Sequence, residues 1–121
     1  MDESGTGNPL PDPGARAHDP SAADAAGTAL ARAREVGRLM MADDRAARHL
    51  GIELLDISPG RARMQLRIRP ELTNGHGICH GGYIFLLADS AFAYACNSYN
   101  RRSVAAGCSI EFLAPAHDGD T

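Results

Sequence analysis

The run from Tyr83 to Cys96, "YIFLLADSAFAYAC", constrains this chain more than any other stretch. It is apolar on every side except at Asp89 and Ser90, and it follows directly on Gly81-Gly82. A helix that is apolar all round is expected to be buried. This one is too short and too interrupted to cross a bilayer. The rest of the chain must therefore supply something to wrap around it.

The wrapping material reads as strand. Ala62, Met64, Leu66 and Ile68 alternate with Arg61, Arg63, Gln65, Arg67 and Arg69, a period of two that gives one buried and one solvated face. Ile52 to Ile57 pairs with this segment across Pro59-Gly60 as an antiparallel hairpin. A third strand is expected over Ser103 to Pro115, with Cys108, Ile110 and Phe112 on one face. The predicted architecture is α+β, an antiparallel sheet wrapped around a central buried helix. Three strands are too few to enclose such a helix, so further C-terminal strands are expected beyond Thr121.

Upstream, residues 1–29 are rich in Gly, Pro, Ala, Asp and Ser and nearly lack large apolar side chains. Such a segment buries too little surface to offset its ordering entropy, which predicts a disordered tail before a single domain over 30–121. The tail has no apolar stretch of the kind a secretory signal needs. Leu30, Ala33, Val36, Leu39, Met40 and Ala47 fall near helical spacing. Asp43 or Asp44 would cap a second short helix that Gly51 ends.

A formal net charge of -3 offers no basic excess for nucleic acid. The 3 cysteines, Cys79, Cys96 and Cys108, are an odd set without paired spacing, as expected of reduced thiols in the cytoplasm. No segment is expected to span a membrane.

The loop before the apolar run, "NGHGICHGG" from Asn74 to Gly82, carries the chemistry. His76, Cys79 and His80 are zinc ligands by type, but no second ligand pair stands at a usual spacing, and His49 and His117 are isolated, so no metal is expected. A Cys79–His80 or Cys79–His76 nucleophilic pair has no third group to orient it, and Cys79 reads better as a small buried side chain. The glycines give a third reading. The first N–H groups of a helix have no acceptors within it, the helix dipole adds positive charge there, and glycine lets a ligand oxygen come close. Together they form a site for a developing oxyanion, which suits acyl transfer.

Asp89 lies seven residues beyond Gly82, close to two turns, on the same side as Gly82, Leu86 and Ala93. A carboxylate on an apolar helix is either hydrogen-bonded structurally or a functional acid. Its alignment with the glycine-rich start favours general base or nucleophile. Asn74 is a turn residue whose side-chain amide could also serve the site.

The set Asn74-Gly75, His80-Gly81-Gly82 and Leu87-Ala88-Asp89 resembles the hotdog-fold acyl-CoA thioesterases, and the whole stretch from Asn74 to Asn100 is most similar to the phenylacetic acid degradation (PaaI-type) group. The resemblance runs from about Arg34 to Thr121 and rests on the spacing of the set. It implies a hotdog fold, hydrolysis of an aromatic acyl-CoA such as phenylacetyl-CoA without a cofactor, and a homodimer or homotetramer with the active site between protomers. By position, Asp89 would activate water or attack the thioester, Gly81 would donate its N–H to the carbonyl oxygen, Asn74 would hold that carbonyl or the water, and His80 would orient the loop. Gly82, Ser90 and Arg63 would contact substrate, with Arg61, Arg67, Arg69, Arg101 and Arg102 as further partners for the coenzyme A phosphates. Related thioesterases often carry a Ser or Thr on the strand after the helix. Here "VAAGCS" leaves Ser90 or Ser109 as the available hydroxyl. The same fold also serves non-catalytic acyl-CoA-binding modules and enoyl-CoA hydratases. The latter want a His and an acid side by side, whereas here the acid stands well along the helix from His80.

Overall fold

A computed structural model describes residues 20–121. The elements are α1 (Pro20–Asp43), α2 (Arg45–Leu50), β1 (Glu53–Ser58), β2 (Arg61–Gln65), a 3-10 turn at Pro70–Leu72 and α3 (Gly81–Asn97). Of the expected tail, residues 1–19 lie outside the described residues. The remainder departs from expectation, because α1 reaches back to Pro20. Ala22, Ala23, Ala25 and Ala26 have the strongest helix propensity of any residue, and Ser21–Thr28 is helical while fully exposed. Propensity, not burial, extends this end.

Asp44 caps α2, its Oδ1 accepting from the Ala47 N–H at 2.9 Å, and Gly51 closes that helix at φ +76. β1 and β2 pair antiparallel across Pro59-Gly60, with Gly60 at φ +74. The register slips between Leu54 and Asp56, a bulge that leaves Leu55 44% exposed. Beyond Gln65 the alternation persists without ladder pairing: Leu66 and Ile68 are buried, Arg67 and Arg69 exposed.

Two apolar clusters hold the elements together. Ala47, Leu50, Ile52, Leu66, Ile68, Leu72 and Cys79 pack under Tyr83, Ile84 and Leu87 at the start of α3. Ala33, Ile57 and Tyr94 pack with Met40, Met41, Leu54 and Met64 at its other half. α1 lies close on β1 because position 37 is glycine: a Cβ there would meet Leu54 Cδ2 at 2.9 Å and two Ile57 carbons at 3.2 Å. Ser98, fully buried, accepts from the Gly60 N–H at 2.7 Å and donates to the Ala95 carbonyl at 2.7 Å, fastening the hairpin turn to the end of α3.

As expected of so few strands, the described elements cover α3 on one side, where it meets the hairpin and α1, and leave Phe92 49% exposed on the other. One further expectation is corrected. The segment from Ser103 to Pro115 forms no strand. A strand needs a hydrogen-bonded neighbour, and no backbone hydrogen bond involves residues 104–115 among the described residues. This segment is anchored only at its ends. Asn97 grips Ser103 through both its N–H and its carbonyl. Ala116 accepts from the Cys79 N–H at 2.8 Å, and Gly119 and Asp120 bracket Ile68.

Candidate active site

The loop ahead of α3 is a closed structure. Thr73 bridges Cys79, the Asn74 N–H donates to the Ile78 carbonyl at 2.8 Å, and Gly77, at φ +75, donates to the Asn74 carbonyl at 2.9 Å. Asn74 Oδ1 accepts from the His76 N–H at 2.9 Å, so half of this side chain shapes the turn. Its NH2 group has no partner among the described residues and stays available as a donor.

His80 stands at the N-cap of α3 with φ -62 and ψ 129, and its Nδ1 accepts from the Gly82 N–H at 3.0 Å. An accepting Nδ1 is that of the neutral ring, with the proton on Nε2. The ring also meets Tyr83 edge-on, with centroids 6.2 Å apart. The Tyr83 N–H donates to the His80 carbonyl at 2.9 Å. Of the first three N–H groups of α3, those of Gly82 and Tyr83 are satisfied locally, whereas that of Gly81 has no acceptor among the described residues. Such a donor at a helix start is an anion-seeking group.

Gly81 borders a cavity of about 550 Å³ whose walls include Asn74, Ile78, Ile84, Phe112 and Leu113. The lining is mostly apolar, with the Asn74 amide and the Gly81 backbone as its polar points. The Phe112 ring lies where a side chain at 81 would go, a Cβ meeting it at 2.9 Å. None of Ile78, Ile84, Phe112 and Leu113 was named as a site residue from sequence; Phe112 read only as one face of an expected strand.

The structure gathers Asn74, His80, Gly81 and Gly82 here, but not Asp89, Ser90 or Arg63. Asp89 is exposed, eight residues along α3 from Gly81, about 12 Å by helical rise, and has no hydrogen-bond or ion-pair partner among the described residues. Within this chain the carboxylate thus stands apart from the Gly81 cavity, whose walls do not include it. Ser90 is half-buried beside it. Arg63 is exposed on β2, facing Asp56 in the register and lining a separate cleft with Phe92. Cys79 is 3% exposed, and burial pushes its thiol up, away from the thiolate a nucleophile needs. No helix among the described residues is long and apolar enough to cross a membrane.

Residues 76–121 match the thioesterase superfamily. Acyl-coenzyme A thioesterase PaaI of Escherichia coli is 45% identical over 82 residues, covering 68% of this chain and 59% of the relative. A putative esterase of Archaeoglobus fulgidus is 35% identical, covering 67% of this chain and 53% of the relative. The chain thus spans little more than half the length of these relatives. The solved structure of E. coli PaaI, from the phenylacetic acid degradation operon, superposes with a TM-score of 0.73 at 40% identity, over 74% of this chain and 65% of that one.

Proposed function

We propose that the full-length protein, whose residues 76–121 match the thioesterase superfamily and whose helix and antiparallel hairpin have the α+β hotdog arrangement, hydrolyses acyl-CoA thioesters. The acyl group is aromatic, of the phenylacetyl or hydroxylated aromatic class, which suits the apolar cavity at Gly81. The observation that carries this reading is the Gly81 N–H, which has no acceptor among the described residues and opens onto that cavity.

The site is shared between protomers of a homodimer or homotetramer. One protomer supplies Gly81 and Asn74, and its partner supplies the carboxylate of residue 89. The support is the axial separation of Asp89 from its own Gly81, together with the exposure of the α3 face that carries Asp89 and Phe92. As general base, the carboxylate takes a proton from water while the water oxygen bonds to the thioester carbon. The carbonyl electron pair moves onto oxygen, where the Gly81 N–H and the Asn74 amide stabilise it. Collapse breaks the C–S bond, and the leaving thiolate recovers the proton from the carboxylic acid, giving free acid and free thiol. As nucleophile, the same carboxylate would pass through an anhydride that water then opens. His80 keeps the loop in shape through Gly82. With its Nδ1 occupied there, it is poorly placed for the His–acid pairing of a hydratase.

Complementation tests both parts. Full-length Asp89→Ala and Gly81→Pro proteins, each inactive alone, are co-refolded and assayed for thiol release from phenylacetyl-CoA. Random pairing regenerates one intact site in every mixed dimer and restores about a quarter of wild-type turnover. A mixture as inactive as its components would overturn the shared site. A wild type that releases no thiol would overturn the hydrolase.

A further inference from the structure

Beyond the C-terminal end of α3 lies a further cleft, of about 650 Å³, lined by Arg32 of α1 and by Cys96, Tyr99, Arg101 and Ser103. It contains no acidic side chain, and neither arginine forms an ion pair among the described residues. Two uncompensated guanidinium groups beside a ring that is 55% exposed and a hydroxyl form a donor set suited to a phosphate-bearing, base-containing ligand.

The cleft is held in shape. Asn100 adopts φ 58, turning the chain sharply after the helix. Asn97 then clamps Ser103 twice, donating to its carbonyl at 2.9 Å and accepting from its N–H at 3.0 Å, which sets the loop that presents Arg101. The negative end of the helix dipole would oppose an anion here, but its carbonyls are partly occupied. Asn97 also donates to the Ala93 carbonyl at 2.9 Å, and both the N–H and the hydroxyl of Ser98 donate to Ala95.

Its position links it to the thioesterase site. Cys96 lies seven residues from Asp89, so it shares that face of α3, about 10 Å further along the axis. A ligand reacting at Asp89 and extending along this face passes Phe92 and Cys96 and reaches the arginine pair. Building on the acyl-CoA reading above, we infer that the Arg32–Tyr99–Arg101 cleft binds the phosphates and adenine of coenzyme A, on the protomer that contributes Asp89. Phosphate oxygens pair with Arg32 and Arg101, and the base stacks on Tyr99.

The test is binding of free coenzyme A to the full-length protein by calorimetry, beside turnover of two thioesters of the same acid. One carries coenzyme A and the other N-acetylcysteamine, which lacks nucleotide and phosphates. Arg101→Ala and Arg32→Ala should each weaken coenzyme A binding about tenfold, the scale of one lost charged hydrogen bond. They should raise KM for the coenzyme A ester similarly, leaving kcat and the N-acetylcysteamine ester unaffected, while Arg48→Ala on α2 changes neither. Unchanged coenzyme A affinity in both cleft variants overturns the assignment, as does an equal loss on both esters, or no binding by wild type. If wild type binds coenzyme A but turns over neither ester, the hydrolase reading falls while the binding contrast still decides the cleft.

Discussion

The Tyr94 hydroxyl, in the last turn of α3, donates to Asp44 Oδ2 at 3.4 Å, while Asp44 Oδ1 accepts from Ala47 as the cap of α2. One carboxylate thus ties two helices distant in sequence, and the ring of Tyr94, only 1% exposed, fills the space between α1 and the hairpin.

That bond sets an alkaline limit on the fold. Burial first, then the charge of Asp44 and the hydrogen bond to it, push the Tyr94 hydroxyl up to about 12 from an ordinary 10.0. The folded chain holds the neutral phenol, so this stabilisation is whole below pH 10 and is lost as pH rises through 12. Tyr94→Phe should cost about 1 kcal/mol at neutral pH and flatten the alkaline decline. Urea titrations at a series of pH values read both effects, and an unchanged slope would exclude Tyr94 as the cause.

Asp89→Ala in the full-length protein should lower thiol release at least about 100-fold, as expected for a general base. Because Asp89 is exposed and unpaired among the described residues, its loss should move stability by no more than about 0.5 kcal/mol. Retained turnover, followed by thiol colorimetry with size-exclusion chromatography as the assembly control, would remove Asp89 from the mechanism.

Position 81 separates the role of a hydrogen from that of space. Proline is well tolerated at the first residue of a helix, and the extended backbone of His80 suits a following proline. Gly81→Pro deletes the N–H without breaking a helix bond and should lower kcat about 100- to 1000-fold. Gly81→Ala keeps the N–H and displaces only the half-exposed Phe112 ring, so its loss in kcat should be far smaller. Equal losses in the two variants would mean that the ring, not the donor, is what matters.

Gly37→Val should destabilise the chain by about 1–3 kcal/mol, since its side chain overlaps Leu54 and Ile57 and neither can move outward without opening the cluster around Ala33. A midpoint in urea at or above that of wild type would show that α1 slides on β1 at no penalty.

Local chemistry was the readable part of this sequence. The hairpin followed from its alternation and its Pro59-Gly60 turn, α2 from Asp44 and Gly51, and α3 from an apolar run opened by two glycines. Less legible was anything that depends on a neighbour. Ser103–Pro115 has the composition of a strand, yet composition does not supply a hydrogen-bonding partner. Ala22, Ala23, Ala25 and Ala26 read as tail because pattern reasoning looks for a buried face, and a helix carried by propensity has none. In the candidate site, the glycines marked the free donor. That the His80 ring would occupy the Gly82 N–H, and so leave Gly81 alone, depended on a rotamer.

The Phe112 ring over Gly81 gives the cavity two unlike walls. Ile84 and the N–H sit on a helix bonded along its length, whereas Phe112 and Leu113 hang on a span tethered only beyond its two ends. The helix side therefore fixes where an acceptor can meet the Gly81 N–H, whereas the Phe112 ring is the boundary that a bulkier occupant would displace first.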